Sequence, residues 1–191
     1  MIINSHRHFI LHKPYGYLSQ LVNNQNKRKN KRLLGELYDF PEGTMAIGRL
    51  DENSEGLLLL TTDGKVSEHI RSSRVEKEYY AQVDGIINSE AIKQLRDGVN
   101  IGFNGTIYKT KSCDAKMIDH VVDLPLENRK VRDARHGPLS WVSITLTEGK
   151  FRQVRKMTAA VGFPTLRLVR VRIGNLKLDI KSGEVMEVNS F

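Results

Sequence analysis

The chain has 191 residues, 39% hydrophobic and 27% charged, a balance that suits one folded domain and argues against general disorder. Thirty basic against 22 acidic residues leave a net charge of +8 and a pI near 9.6, which favours a polyanionic partner, nucleic acid before others. The lone Cys113 excludes an intrachain disulfide and a cysteine-rich zinc site. No stretch offers a signal peptide or approaches the ~20 apolar residues of a membrane span, so a cytoplasmic protein with no membrane and no metal partner is expected.

"HFILH" (residues 8–12) reads as a first strand, closed by Lys13, Pro14 and the turn residues of "PYG". "NNQNKRKNKR" (23–32) is polar throughout and reads as an exposed loop, and "LLGELYDFPEG" as a short apolar element stopped by Pro41 and Gly43. "GLLLLTTDG" predicts a buried strand, then a turn at Asp63-Gly64 where Asp63 caps a short helix with Val66 and Ile70 on one face. "KEYYAQVDG" alternates, with Tyr79, Ala81 and Val83 on one side and Tyr80, Gln82 and Asp84 on the other.

In "NSEAIKQLRDGV", Asn88 or Ser89 caps a helix that turns Ile92 and Leu95 inward and ends at Gly98. Residues 99–124 predict further short strands, and "LENRKVRDARHGP" (126–138) a charged loop. "WVSITLT" alternates again, before the period changes: Val154, Met157 and Val161 fall at helical spacing, with Arg152, Arg155, Lys156 and Ala159 on another face, until Gly162 and Pro164 stop the helix. "TLRLVRVRIGNLKLD" returns to strand alternation. The sum is an α+β protein of many strands and few short helices. It reads as one domain over 1–191, in which two lobes could meet near residue 85.

Two features carry chemistry. "KRKNKR" holds five basic residues in six positions, and Gly149–Arg172 holds seven (Lys150, Arg152, Arg155, Lys156, Arg167, Arg170, Arg172) without one acid. A solvated face explains the first. A one-signed stretch on a helix and its following strand instead suits a phosphate backbone. The second feature is Asp51 in "GRLDENSEGLLLLTTDGKV" (48–66), set before a turn and four leucines. By residue physics alone it is an Asx-turn, a helix N-cap or a functional carboxylate.

"GRLDENSEGLLLLT" resembles the defining motif of the pseudouridine synthases, in the branch that acts on ribosomal RNA and carries S-E-G after the aspartate. "HKPYG", "KEYYAQVDG" and "EGKFRQVRKMTAAVGFPTLRLVRVRIGNLKL" agree in order and spacing, so the likeness spans almost the whole chain. It is nearest to the compact large-subunit rRNA enzymes. The resemblance implies a mixed, mainly antiparallel sheet with flanking helices and a central active-site cleft. It makes Asp51 the catalytic carboxylate, Tyr79 the aromatic that stacks on the target uracil, and Arg155 the ion-pair partner of Asp51. Arg49 would hold the target nucleotide out of its stack, with Lys13, Lys150, Arg152, Lys156, Arg167 and Arg170 as further RNA contacts.

The implied reaction breaks N1–C1′, turns the base and joins C5 to C1′. It is neither redox nor hydrolytic, so no cofactor is expected. A carboxylate near the sugar would attack C1′ or remove a ribose proton. The target base must leave its stack, which costs a few kcal/mol. His6, His8, His12, His69, His120 and His136 show no ligand spacing. Many relatives begin with a further RNA-binding domain (S4) of about sixty residues. Only a dozen residues precede "KPYG" here, so a single catalytic domain without S4, acting as a monomer, is expected. The rivals are a non-catalytic RNA-binding or ribosome-assembly protein of the same fold and a synthase acting on transfer RNA or small-subunit rRNA.

Overall fold

The computed structural model describes residues 6–22, 31–72, 75–119, 121, 124 and 136–191. Most of "KRKNKR" and of "LENRKVRDARHGP", and His120, lie outside them. In chain order the strands are β1 (His8–Lys13), β2 (Tyr17–Leu18), β3 (Arg32–Leu33), β4 (Met45–Ile47), β5 (Glu55–Thr61), β6 (Lys77–Asp84), β7 (Asn100–Phe103), β8 (Thr106–Lys109), β9 (Asp114–Ile118), β10 (Leu139–Leu146), β11 (Thr165–Ile173), β12 (Leu176–Lys177) and β13 (Val185–Val188). Helix α1 (Gly64–Ser72) follows β5, α2 (Ser89–Asp97) follows β6, and α3 (Gln153–Ala160) follows β10.

The chain forms two compact units, Met1–Val75 with Ile173–Phe191, and Glu76–Arg172. The first is therefore discontinuous, a division that a reading of one local stretch at a time does not reveal. Its sheet runs β13-β1-β5, with β4 also on β5. β1 is antiparallel to both neighbours, pairing Phe9 with Leu60 on one side and Glu187 on the other. All seven residues of β5 are buried. Both of its faces are covered, which explains an unbroken leucine run where an alternating pattern would mark a half-exposed strand. Leu57 and Leu59 pack with Ile10, Ile47 and Ile173, and Val66 and Ile70 of α1 pack against this cluster. Asp63 caps α1 as the sequence predicts, its Oδ1 accepting from the Lys65 amide at 2.8 Å.

In the second unit the strand order is β11-β6-β10-β9, and β7 and β8 form a separate antiparallel hairpin. β6 and β10 are antiparallel, with Tyr79 opposite Ile144 and Ala81 opposite Val142. The predicted alternation of both strands holds: Ala81, Val83, Val142, Ile144 and Leu146 share one core with Ile92, Leu95, Val154 and Met157, and Tyr79 packs on its margin. Of the two candidate caps, Asn88 takes the role, its Oδ1 accepting from the Ala91 amide at 2.8 Å. Asn88→Ala should cost about 1 kcal/mol in chemical denaturation, the usual loss for an N-cap. Gly98 ends α2 at φ 87°, where a Cβ would lie 2.3 Å from the Thr110 carbonyl oxygen. No residue with a side chain fits there.

Among the described residues no helix is long and apolar enough to cross a membrane.

Candidate active site

Asp51 sits in the first unit at the start of a tight turn, where its carbonyl accepts the Ser54 amide at 3.0 Å. Glu55 opens β5 directly after that turn. The backbone on either side is clamped by residues far away in sequence. The Ser19 hydroxyl donates to the Leu50 carbonyl at 2.8 Å and accepts from the Leu50 amide at 3.0 Å. The Gly16 amide donates to the Glu52 carbonyl at 2.9 Å, and Lys31 Nζ meets the Glu52 carboxylate at 2.6 Å. Leu50 is buried beside an exposed Arg49, while Asp51 itself is half-buried. A seven-residue buried strand on one side and a hydroxyl clamp on the other hold position 51. No local signal marks Ser19, which lies 31 residues before its partner.

Lys13, read from sequence as an RNA contact, is 0% exposed. Its ammonium donates to the carbonyls of Pro14 at 3.0 Å and Tyr17 at 2.7 Å, and reaches that of Glu52 at 3.5 Å. These bonds stabilise a buried cation by surrounding it with carbonyl dipoles. They also tie the "PYG" turn to the residue after Asp51.

Tyr79 and Arg155 belong to the second unit. Tyr79 is half-buried on β6. Its neighbour Tyr80 lies opposite Ser143, and burial, with the Glu78 charge adding to it, raises the Tyr80 phenol above its ordinary value. Arg155 is half-buried on α3, its guanidinium donating to the Thr165 carbonyl at 3.3 Å. Periodicity puts Arg152 on one helix face with Arg155 and Lys156. It is the N-cap of α3 at φ 54°, in the left-handed region, and is exposed.

The basic run divides in the same way. Arg167 and Arg170 are each 3% exposed, and Arg167 donates to the Leu124 carbonyl at 3.1 Å. Burial, with the charge of Arg170 adding to it, lowers the Lys77 ammonium below its ordinary value. Arg172 bridges Glu76 and Glu78, each at 3.0 Å. Arg152 is exposed, and Lys150 and Lys156 are half-buried. The seven cations are therefore not one outward stripe, because β11 carries its arginines into covered surroundings.

Burial alone would push the Glu78 carboxyl up, but hydrogen bonds from Arg172 and from Ser143, at 2.8 Å, hold it below the usual glutamate value. A depressed folded-state value stabilises the fold above the unfolded carboxyl's titration, and that contribution is lost as pH falls through the folded value. Glu78→Gln should therefore be less stable than the parent at neutral pH. The gap should close on acidification below the ordinary glutamate range, as read by chemical denaturation across pH.

Residues 7–160 match the family model described as RNA pseudouridylate synthase. "Ribosomal large subunit pseudouridine synthase E" of Xanthomonas axonopodis pv. citri (strain 306) is 42% identical over 172 residues, which cover 89% of this chain and 87% of that protein. The protein of the same name from Vibrio parahaemolyticus serotype O3:K6 (strain RIMD 2210633) is 37% identical over 187 residues, 94% of this chain and 72% of its own. A solved structure described as "Crystal structure of pseudouridylate synthase" superposes with a TM-score of 0.75 at 25% identity, over 98% of this chain and 72% of that one. The mixed, mainly antiparallel sheet, with three α-helices among the described residues, is thus the fold of an RNA-modifying isomerase. The chain belongs to the RNA pseudouridine synthase family, and its relatives at about 40% identity are large-subunit synthases of the E type.

Proposed function

We propose that this chain isomerises one uridine of large-subunit (23S-type) ribosomal RNA, with Asp51 as its catalytic carboxylate. The observation that carries the substrate assignment is the 42% identity, along nearly the whole of both chains, to a protein named for that RNA. For Asp51, support comes from a backbone fixed by Ser19, Gly16 and the buried strand β5, since a carboxylate that must meet a ribose needs a predefined position. In this reading Asp51 acts at the sugar, by attack on C1′ or by removal of a ribose proton, while N1–C1′ breaks and C5–C1′ forms. Arg155 is the ion-pair partner of that carboxylate, and Tyr79 holds the detached uracil by stacking until C5 is presented. Arg49 keeps the nucleotide everted, and Lys150, Arg152 and Lys156 bind phosphate. The enzyme works as a cytoplasmic monomer.

The test is to map pseudouridine in ribosomal RNA from cells with and without the gene. One large-subunit uridine should lose its modification in the deletion strain and regain it on complementation. Loss confined to transfer RNA or to small-subunit RNA would refute the substrate assignment.

A further inference from the structure

The turn between β10 and α3 has a construction that the reaction chemistry does not call for. Glu148 stands at its base and accepts three hydrogen bonds: from the Tyr108 hydroxyl at 2.6 Å, the Lys111 amide at 2.9 Å and the Gln153 side-chain amide at 2.6 Å. Gln153, itself buried, closes the other end. Its side-chain oxygen accepts the Lys150 amide at 2.9 Å, and its own backbone amide donates to the Lys150 carbonyl at 3.1 Å. The two residues between Lys150 and Gln153 are left with little freedom, and Arg152 takes a backbone conformation rare for a residue with a side chain.

This locked turn displays Phe151, which is 67% exposed. A lone exposed ring is ordinary on a protein surface, so what matters is its setting. Its surroundings are cationic. Lys156 Nζ lies 5.4 Å from the ring centroid and also donates to the Gly102 carbonyl of β7 at 2.7 Å. Lys150 Nζ rests over Phe103 and Tyr108, at 5.1 and 4.9 Å from their centroids, and so is held in place by the hairpin. An aromatic face among oriented cations is what a single-stranded nucleic acid needs, a platform for a base with charges for the flanking phosphates. An apolar protein partner would gain nothing from the lysines.

We propose that Phe151 is a stacking platform for an unpaired base of the bound RNA other than the target uridine, on a turn shaped in advance by Glu148 and Gln153. The inference rests on the proposed reading only in taking RNA as the partner. Phe151 would select single-stranded or looped RNA beside the modification site, and it takes no part in the chemistry.

The experiment uses the full chain and a single-stranded oligoribonucleotide of about a dozen nucleotides, of mixed sequence. Phe151→Trp combined with Trp141→Phe leaves one tryptophan, at the platform. Its emission is expected to be quenched on titration with the oligonucleotide, with affinity kept. Phe151→Leu, made in the native background so that it needs no change at Trp141, should lose about tenfold in affinity while its salt dependence stays that of the parent. Lys150→Gln should instead flatten the plot of log affinity against log salt by about 0.7. Unquenched emission on saturation, Phe151→Leu binding as tightly as the parent, or a parent that ignores the oligonucleotide would each overturn the platform. Quenching by the oligonucleotide alongside unmodified large-subunit RNA in cells would leave the platform standing and remove the substrate assignment.

Discussion

Asp51→Asn will bind RNA within a few-fold of the parent and turn it over at least about 1,000-fold more slowly. Loss of a nucleophile or general base removes rate of that order. The substitution keeps the size of the side chain, and the backbone bonds that hold the turn, from the Ser54 amide to the Asp51 carbonyl and between Ser19 and Leu50, do not depend on its charge. Single-turnover assays on RNA, paired with a binding isotherm, separate the two quantities. Turnover near that of the parent would exclude Asp51 from the chemistry, while a collapse of affinity would make it a binding residue.

Lys13→Met acts on the same turn from beneath. Methionine fills a similar volume but leaves the Pro14 and Tyr17 carbonyls without the donor they now share. Buried acceptors that lose a charged donor cost about 3 kcal/mol in total, which for a chain of this size lowers the melting temperature by about 10 °C. The Glu52 carbonyl loses its contact too, and Asp51 is the next residue. A displacement near 1 Å at a reacting group can cost about 100-fold in rate. The expected signature is therefore a fall in kcat at nearly constant KM, measured well below the melting point. A rise in KM with kcat unchanged would mean instead that Lys13 serves RNA binding.

Much of this fold could be read from local patterns. The alternation of "KEYYAQVDG" and "WVSITLT" correctly divided β6 and β10 into core and outer faces, since one side of each strand meets a single core. The caps at Asp63 and Asn88 were legible because a capping side chain acts on its own helix within three residues. What escaped was whatever depends on distant chain. Ser19 holds Leu50 across 31 residues, and nothing near either marks the other. Lys13 reads from sequence as an RNA contact, because its charge is visible there while the three carbonyls around it are not. Spacing puts Arg152 on a helix face with Arg155 and Lys156, but it does not reveal the left-handed backbone of Arg152 or the bonds between Gln153 and Lys150 at the start of α3. The arginines of β11 show the same limit: a count of charge records sign, and only the packing of neighbouring strands records which way each one is buried.

The split make-up of the first unit has a bearing on how the polypeptide is made. β1 finds one of its two partners in β5, the nearer in sequence, but the other is β13, where His8 meets Val188 and Arg7 grips Glu187. On a translating ribosome the stretch up to Arg172 can be synthesised, and the Glu76–Arg172 unit can assemble, while β1 still exposes a bare edge. Closing that edge means bringing together segments 180 residues apart in sequence, the slowest kind of contact to form. Until Ile173–Phe191 is made, the nascent sheet stays open to pairing with a neighbour.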